Sequence, residues 1–387
     1  MRRGTTGQYE TTIVGGESVR AFIPSALPPI PPLHLAGDTQ RLLEGAVLAV
    51  GRLDGVATHL PDVPLFLYAY VRKEAVLSSQ IEGTQSSLSD LLLFEMNEAP
   101  GVPLDDVTEV SNYVAALEHG LSRLREGFPL SNRLFREVHA VLLSRGRGSG
   151  KAPGEFRRTQ NWIGGTRPGN AAFVPPPHTA VPQCMKAFEK FLHARNDGVS
   201  KIVRAGLAHV QFETIHPFLD GNGRVGRLLI TLMLCDAGVL REPLLYLSLY
   251  LQQHRATYYE LLDRVRRDGD WEAWMEFFLE GVRATATGAV ETSQRLAGMF
   301  VADRGLISSR GRMAASALRV HEALKARPIT SIAAVSRASG LSFPTASSAT
   351  RLLVDLGIAR ELTGKRRNRL FAYDRYLKTL NEGLDFP

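Results

Sequence analysis

His216-Pro217-Phe218-Leu219-Asp220-Gly221-Asn222-Gly223-Arg224-Val225-Gly226-Arg227 reads as a tight turn between two helices, and its chemistry reaches into both. Apolar residues at helical spacing lead up to it over 200–214, and Pro217 bars that helix from continuing. Gly221 and Gly223 permit the positive φ angles of an anion-binding nest, and the next helix is predicted to start at about Asn222. Its N-terminus then faces the turn. Unpaired N–H groups and roughly half a positive charge at a helix start suit a phosphate chain, and Arg224 and Arg227 add two guanidinium groups one turn apart. A carboxylate beside phosphates repels them, so Asp220 makes sense when a divalent cation, Mg2+, bridges it to the anion. His216 titrates near neutrality when unperturbed and can take a proton from an attacking hydroxyl. Any one of these residues alone reads as a helix cap or a surface ion pair. Together they read as one anion site with a base beside it.

The stretch agrees with HPFx(D/E)GNGRxxR at every fixed position, and so resembles the signature of the Fic family. The resemblance extends through Ala208-His209-Val210-Gln211-Phe212-Glu213-Thr214-Ile215, Gly154-Glu155-Phe156-Arg157, Asn161-Trp162-Ile163-Gly164, Trp271 and Trp274, over about residues 20–290. It implies transfer of AMP from ATP to a Tyr, Ser or Thr hydroxyl of a protein, with release of pyrophosphate. His216 is then the catalytic base and Asp220 the Mg2+ ligand. Gly221, Asn222 and Gly223 cradle the phosphates, Arg224 and Arg227 hold the β and γ groups, and Gln211 and Gln253 lie where the family contacts the nucleoside. A second stretch, Ser78-Ser79-Gln80-Ile81-Glu82-Gly83, follows Lys73-Glu74-Ala75 and resembles the family's inhibitory motif (S/T)xxxE(G/N). This implies that Ser78 and Glu82 share one helix face and that Glu82 pairs with Arg227 in place of the γ phosphate.

Outward from these motifs the chain is mainly α. Helical periodicity begins at Asp38 and recurs at 66–97, 105–125, from Ser131 to Gly146, and at 178–194, 200–214, 224–237, 249–267 and 271–287. Thr159 to Pro177, with two short apolar runs around Pro168-Gly169-Asn170, predicts a small β-hairpin flap over the site that aligns a target segment by strand pairing. The Pro-rich run from Ile23 to Pro32 predicts an extended arm, without a place in any ladder, docked through Phe22, Ile23, Leu27 and Ile30. Past Arg304 the pattern becomes helices at 314–326, 331–339 and 344–356, then two strand-like pieces flanking Lys365-Arg366-Arg367, the order of a winged helix-turn-helix. The expected division is 1–100 for the arm and inhibitory helix, 101–304 for a Fic-like helical core and 305–387 for the winged helix.

The 387 residues, 44% hydrophobic, suffice for several domains. The two cysteines, Cys184 and Cys235, form no disulfide framework or zinc spacing, no apolar run is long enough for a membrane span, and no secretory leader is visible, so a cytoplasmic protein is expected. The net charge of +7 is uneven. From Arg310 onward there are fourteen Arg and Lys against six Asp and Glu, which points to DNA as that end's partner and to Ser342, Thr345, Ser347, Ser348 and Arg351 as contacts. The alternative function is a nucleotide-sensing, DNA-binding transcription regulator. His209, Glu213 and His216 share a helix face, yet without HEXXH and with Pro217 following they read better as hydrogen-bonded structural residues than as a metal triad. The protein target and the oligomeric state, homodimer included, stay open.

Overall fold

A computed structural model describes residues 3–59, 63–96, 101–194 and 198–382. The chain opens with a hairpin, β1 (Gly7–Val14) and β2 (Glu17–Pro24). These pair antiparallel from Gly7 with Pro24 to Val14 with Glu17, around Gly15 and Gly16, which both take positive φ. Two consecutive positive φ angles match the right-handed twist of the flanking strands.

Helices follow: α1 (Asp38–His59), α2 (Val63–Ile81), α3 (Leu88–Glu95), α4 (Leu104–Arg125), α5 (Asn132–Leu142), α6 (Val181–Leu192), α7 (Lys201–Ile215), α8 (Asn222–Asp236), α9 (Ser248–Gln253), α10 (Arg255–Asp268) and α11 (Trp271–Ser308). The expected helix at 66–97 is two helices, divided at Gly83, where φ is +100°; position 97 lies outside the described residues. The expected helix at 249–267 likewise divides at His254. The last core helix runs 21 residues past position 287, because it packs along α1 and then beneath the C-terminal elements. The expected boundary at 304/305 falls inside it.

Every residue of α7 from Ile202 to Ile215 is buried. A helix apolar or satisfied on all sides belongs at the centre of a bundle, and α7 packs against α8, α6, α10 and α11 there. The turn after α7 is thereby fixed from within.

The C-terminal elements are α12 (Ala314–Ala326), β3 (Ile329–Ser331), α13 (Ile332–Ser339), α14 (Phe343–Asp355), β4 (Arg360–Glu361), β5 (Leu370–Ala372) and α15 (Asp374–Asn381). The three helices and two strands expected here are present. β3 and α15 are additions, and β5 lies between β3 and β4 in an antiparallel sheet.

Two expectations are corrected. The flap at 159–177 is a loop closed by a single bridge, Ile163 to Phe173, with a 3-10 turn at Pro168–Asn170, since its four prolines and three glycines deny it a longer ladder. The regular hairpin is instead β1–β2. The arm, expected to pair with nothing, contributes Ile23 and Pro24 to that ladder; Leu27 packs on the core, whereas Ile30 is 88% exposed.

Candidate active site

The turn between α7 and α8 is built from main-chain conformation first. His216 ends α7 in the left-handed region, φ 49°, a strained place for a residue with a Cβ. Gly221, φ 76°, precedes α8, whose first turn leaves the N–H groups of Asn222, Gly223 and Arg224 without helical acceptors. Gly223 is helical and has no positive φ, contrary to expectation. Its need is spatial: a Cβ there would lie 2.3 Å from Oε1 of Glu82.

Three side chains hold the turn in shape. Asn222 accepts from the Phe218 N–H and donates to the Phe218 carbonyl, both at 2.8 Å, so what it can offer an anion is its own main-chain N–H. His139, from α5, accepts the Gly154 N–H at Nδ1 (2.8 Å) and therefore donates from Nε2 to the Asp220 carbonyl (3.0 Å), its ring stacked on Phe218. Arg157 donates to the carbonyls of His216 (2.9 Å) and Pro176 (2.5 Å), joining the turn to the flap. Asn161 of the flap donates to the Phe218 carbonyl at 2.8 Å.

The charged groups sit on this frame. Arg227 donates to Ser78 Oγ (2.8 Å), the Ser78 carbonyl (2.9 Å) and Glu82 Oε1 (2.7 Å), so the sequence motifs at 78–83 and 216–227 meet. Gly83 follows with positive φ and turns the chain away. Burial pushes the Glu82 carboxyl up, but the adjacent Arg227 outweighs it and holds the group below its ordinary value. Arg224 forms ion pairs with Glu109 (2.9 Å) and Asp220 (3.4 Å), and Glu109 also pairs with Arg147 at 3.0 Å. Asp220 Oδ1 accepts the Gly221 N–H, while among the described residues Oδ2 has no hydrogen bond. Burial, helped by Arg157, pulls His216 down to about 4, so its ring is neutral at pH 7 and able to accept a proton.

His209 donates from Nδ1 to the Gly226 carbonyl (2.9 Å) and accepts at Nε2 from Tyr258 (2.8 Å), a structural role. Glu213 departs from expectation: among the described residues its Oε1 has no hydrogen-bond partner, and burial pushes its carboxyl up to about 7. Gln211 is buried and donates to the Ser25 carbonyl at 2.9 Å, tying down the arm. Gln253 lies exposed at the end of α9.

Sequence reasoning missed the roles of His139, Arg157 and Glu109, because each acts from 59 or more residues away along the chain or on main-chain atoms.

Two family profiles match the chain: Fic/DOC family N-terminal over residues 40–122 and Fic/DOC family over 129–234. The chain belongs to the Fic family. The Fic loop is thus 216–227, and the Glu82 motif falls within the N-terminal match. The chain is 30% identical over 210 residues to the protein adenylyltransferase Fic of Culex quinquefasciatus and 28% identical over 208 residues to that of Drosophila melanogaster, 53% of this chain in each case. It spans 39% of those relatives' length. Among solved structures, a Fic family protein from Desulfovibrio desulfuricans G20 has TM-score 0.55 at 21% identity, covering 86% of this chain and 95% of that one. A Fic domain containing signaling protein from Bacteroides thetaiotaomicron has TM-score 0.50 at 17% identity, covering 66% and 97%. These likenesses concern the fold.

Proposed function

We propose that this Fic-family chain transfers AMP from ATP to a Tyr, Ser or Thr hydroxyl of a protein, itself among the acceptors, and that Glu82 restrains it. The observation that carries the reading is the Glu82 carboxylate, held 2.7 Å from Arg227 and over Gly223 at the first turn of α8. A protein carboxylate occupies the place that a helix N-terminus and an arginine prepare for an anion. The names of the curated relatives, matched over about half of this chain, support the same chemistry.

In the proposed reaction the acceptor oxygen forms a bond to the α phosphorus as the bond to the bridging oxygen breaks and pyrophosphate leaves. Neutral His216 takes the hydroxyl proton. The N–H groups of Gly223 and Arg224 and the Arg227 guanidinium hold the phosphate chain in line for attack. Asp220 suits Mg2+, since its carboxyl is 38% exposed and Oδ2 has no hydrogen bond among the described residues. The chemistry a bound Mg2+ supplies there is charge neutralisation on the phosphates. With Glu82 on Arg227, the triphosphate cannot use the same guanidinium fork, and the α phosphorus is left out of line.

The test is initial AMP incorporation from α-labelled ATP. Glu82→Gly should be at least about tenfold faster than wild type, given the strength of a charge-assisted hydrogen bond. His216→Ala in the Glu82→Gly background should lose roughly 100-fold or more while keeping ATP affinity within a few-fold. A double variant that stays active would remove His216 as base.

We read residues 305–387 as a winged helix whose exposed face binds duplex DNA alongside the catalytic role. A groove of about 500 Å³ between Phe343, at the start of α14, and Arg366, Arg367 and Arg369 supports it. Phe343 is 56% exposed.

A further inference from the structure

We infer that Glu74 is a positioning residue for autoinhibition: its buried carboxylate latches α2, so that the aim of Glu82 at Arg227 is set two helical turns away from the phosphate site. The inference rests on the restrained-enzyme reading above. Glu74 and Ser78 stand at i and i+4 on one face of the last turns of α2, and Glu82, at i+8, is the first residue past its end. Ser78 and Glu82 meet Arg227 of α8. Glu74 meets two other helices: it accepts from the N–H (3.1 Å) and Oγ (2.5 Å) of Ser248 in α9 and from the Tyr113 hydroxyl (3.3 Å) of α4. A second tie, from Gln252 Nε2 to Gln80 Oε1 at 2.7 Å, joins the far end of α9 to the same part of α2.

The two ends of this face differ in how easily they can be displaced. The Glu82 side chain is 34% exposed, and its ion pair is open to competition by water and by a triphosphate. Glu74 is 5% exposed and carries three donors that no solvent replaces. Beyond Glu82 the chain turns at Gly83 with positive φ, so nothing helical restrains the carboxylate from that side. The fixed point is therefore upstream. Without the Glu74 carboxylate, Ser248 and Tyr113 lose a shared acceptor, the last two turns of α2 keep their apolar packing and the Gln252 tie but lose the bonds that fix them against α9 and α4, and Arg227 is left open to an anion for a larger share of the time. Burial pushes the Glu74 carboxyl up to about 7, so a neutral side chain of the same shape should serve nearly as well.

The experiment compares initial rates of self-labelling from α-labelled ATP in the full chain. Wild type, Glu74→Ala, Glu74→Gln and Ser248→Ala are measured alone and combined with Glu82→Gly, each variant checked by circular dichroism and thermal midpoint. Glu74→Ala should be about tenfold faster than wild type, and Ser248→Ala faster by about threefold, within the range of coupling between contacting groups. Glu74→Gln should stay within about twofold of wild type, because it keeps an acceptor oxygen. In the Glu82→Gly background none of them should add speed, since the restraint is already gone. A folded Glu74→Ala that is unchanged or slower, in both backgrounds alike, would overturn the latch and leave Glu74 a packing residue. If Glu74→Ala does not fold, Ser248→Ala decides, because Glu74 then keeps its main-chain donor; an unchanged rate overturns the proposal. If Glu82→Gly itself is no faster than wild type, the restrained-enzyme reading fails and the latch with it. A fast Glu82→Gly beside a slow Glu74→Ala sinks the latch alone.

Discussion

His139, His209, His216 and His321 are each pulled down to about 4 by burial, while burial pushes Glu74 and Glu213 up to about 7. Between pH 6.5 and 4.5 the unfolded chain protonates the four histidines and the folded chain does not, so each loses stability on acidification. The two glutamates act oppositely, since the folded chain keeps their protons while the unfolded chain has released them. Four against two leaves a net loss as pH falls, at most about 3 kcal/mol per pH unit. The thermal midpoint should therefore be lower at pH 5 than at pH 7; an equal or higher midpoint at pH 5 would contradict these burial effects. The same burial keeps His216 neutral, so loss of its basic form should not limit AMP transfer at pH 6. At this scale the Fic loop was legible in the sequence, because its chemistry is compressed into adjacent positions. His139, Arg157 and Glu109 were not, since a side chain that serves distant main-chain atoms leaves no local spacing to read.

Among the elements, the flap gains its order from β2. The Phe22 N–H donates to the Val174 carbonyl at 2.9 Å, Phe22 packs on Phe173 with ring centroids 6.1 Å apart, and Glu17 accepts from both Arg167 (2.5 Å) and the Gly169 N–H (2.7 Å). Arg266 lies over the Phe173 ring, 3.9 Å from its centroid. Phe22 is fully buried, so Phe22→Ala should cost about 3–5 kcal/mol, concentrated where the hairpin meets the flap. The expected result is faster proteolysis within 159–177 and a raised KM for the protein acceptor, with the KM for ATP changed much less. An unchanged acceptor KM would show that the hairpin does not support the flap in catalysis. The hairpin had a sequence signal, β-rich residues on both sides of Gly15-Gly16, which the reading from Phe22 onward passed over. The flap was overread, because apolar runs beside a turn say nothing about how many ladder bonds prolines leave available.

Across the whole molecule, α11 links the helical bundle to the C-terminal elements. Phe300 on α11 packs with Phe66 of α2 and with His321, Tyr373 and Tyr376, and Tyr373 donates to Asp303 at 2.5 Å. This buried seam turns the other face of the C-terminal elements outward, with Lys365, Arg366 and Arg367 exposed in the turn between β4 and β5. If that face binds duplex DNA, the log of the binding constant should fall steeply with log salt. Replacing the three residues by alanine should flatten the slope by about 2–3, one phosphate contact for each. Binding with an unchanged slope would place the DNA elsewhere, and no binding at all would remove it as the partner.

The sequence by itself determined the helical class and the α7–turn–α8 frame, because helix periodicity, glycine and proline act over a few positions. It also placed Ser78 and Glu82 one turn apart. Only the tertiary structure decided that Arg227 bonds to both of them, that Asn222 and Gln211 commit their side chains to Phe218 and Ser25, and that Glu213 is buried with an oxygen that has no hydrogen bond among the described residues. Those outcomes depend on which distant groups packing brings within hydrogen-bond reach, and burial then sets the price of leaving a polar atom alone.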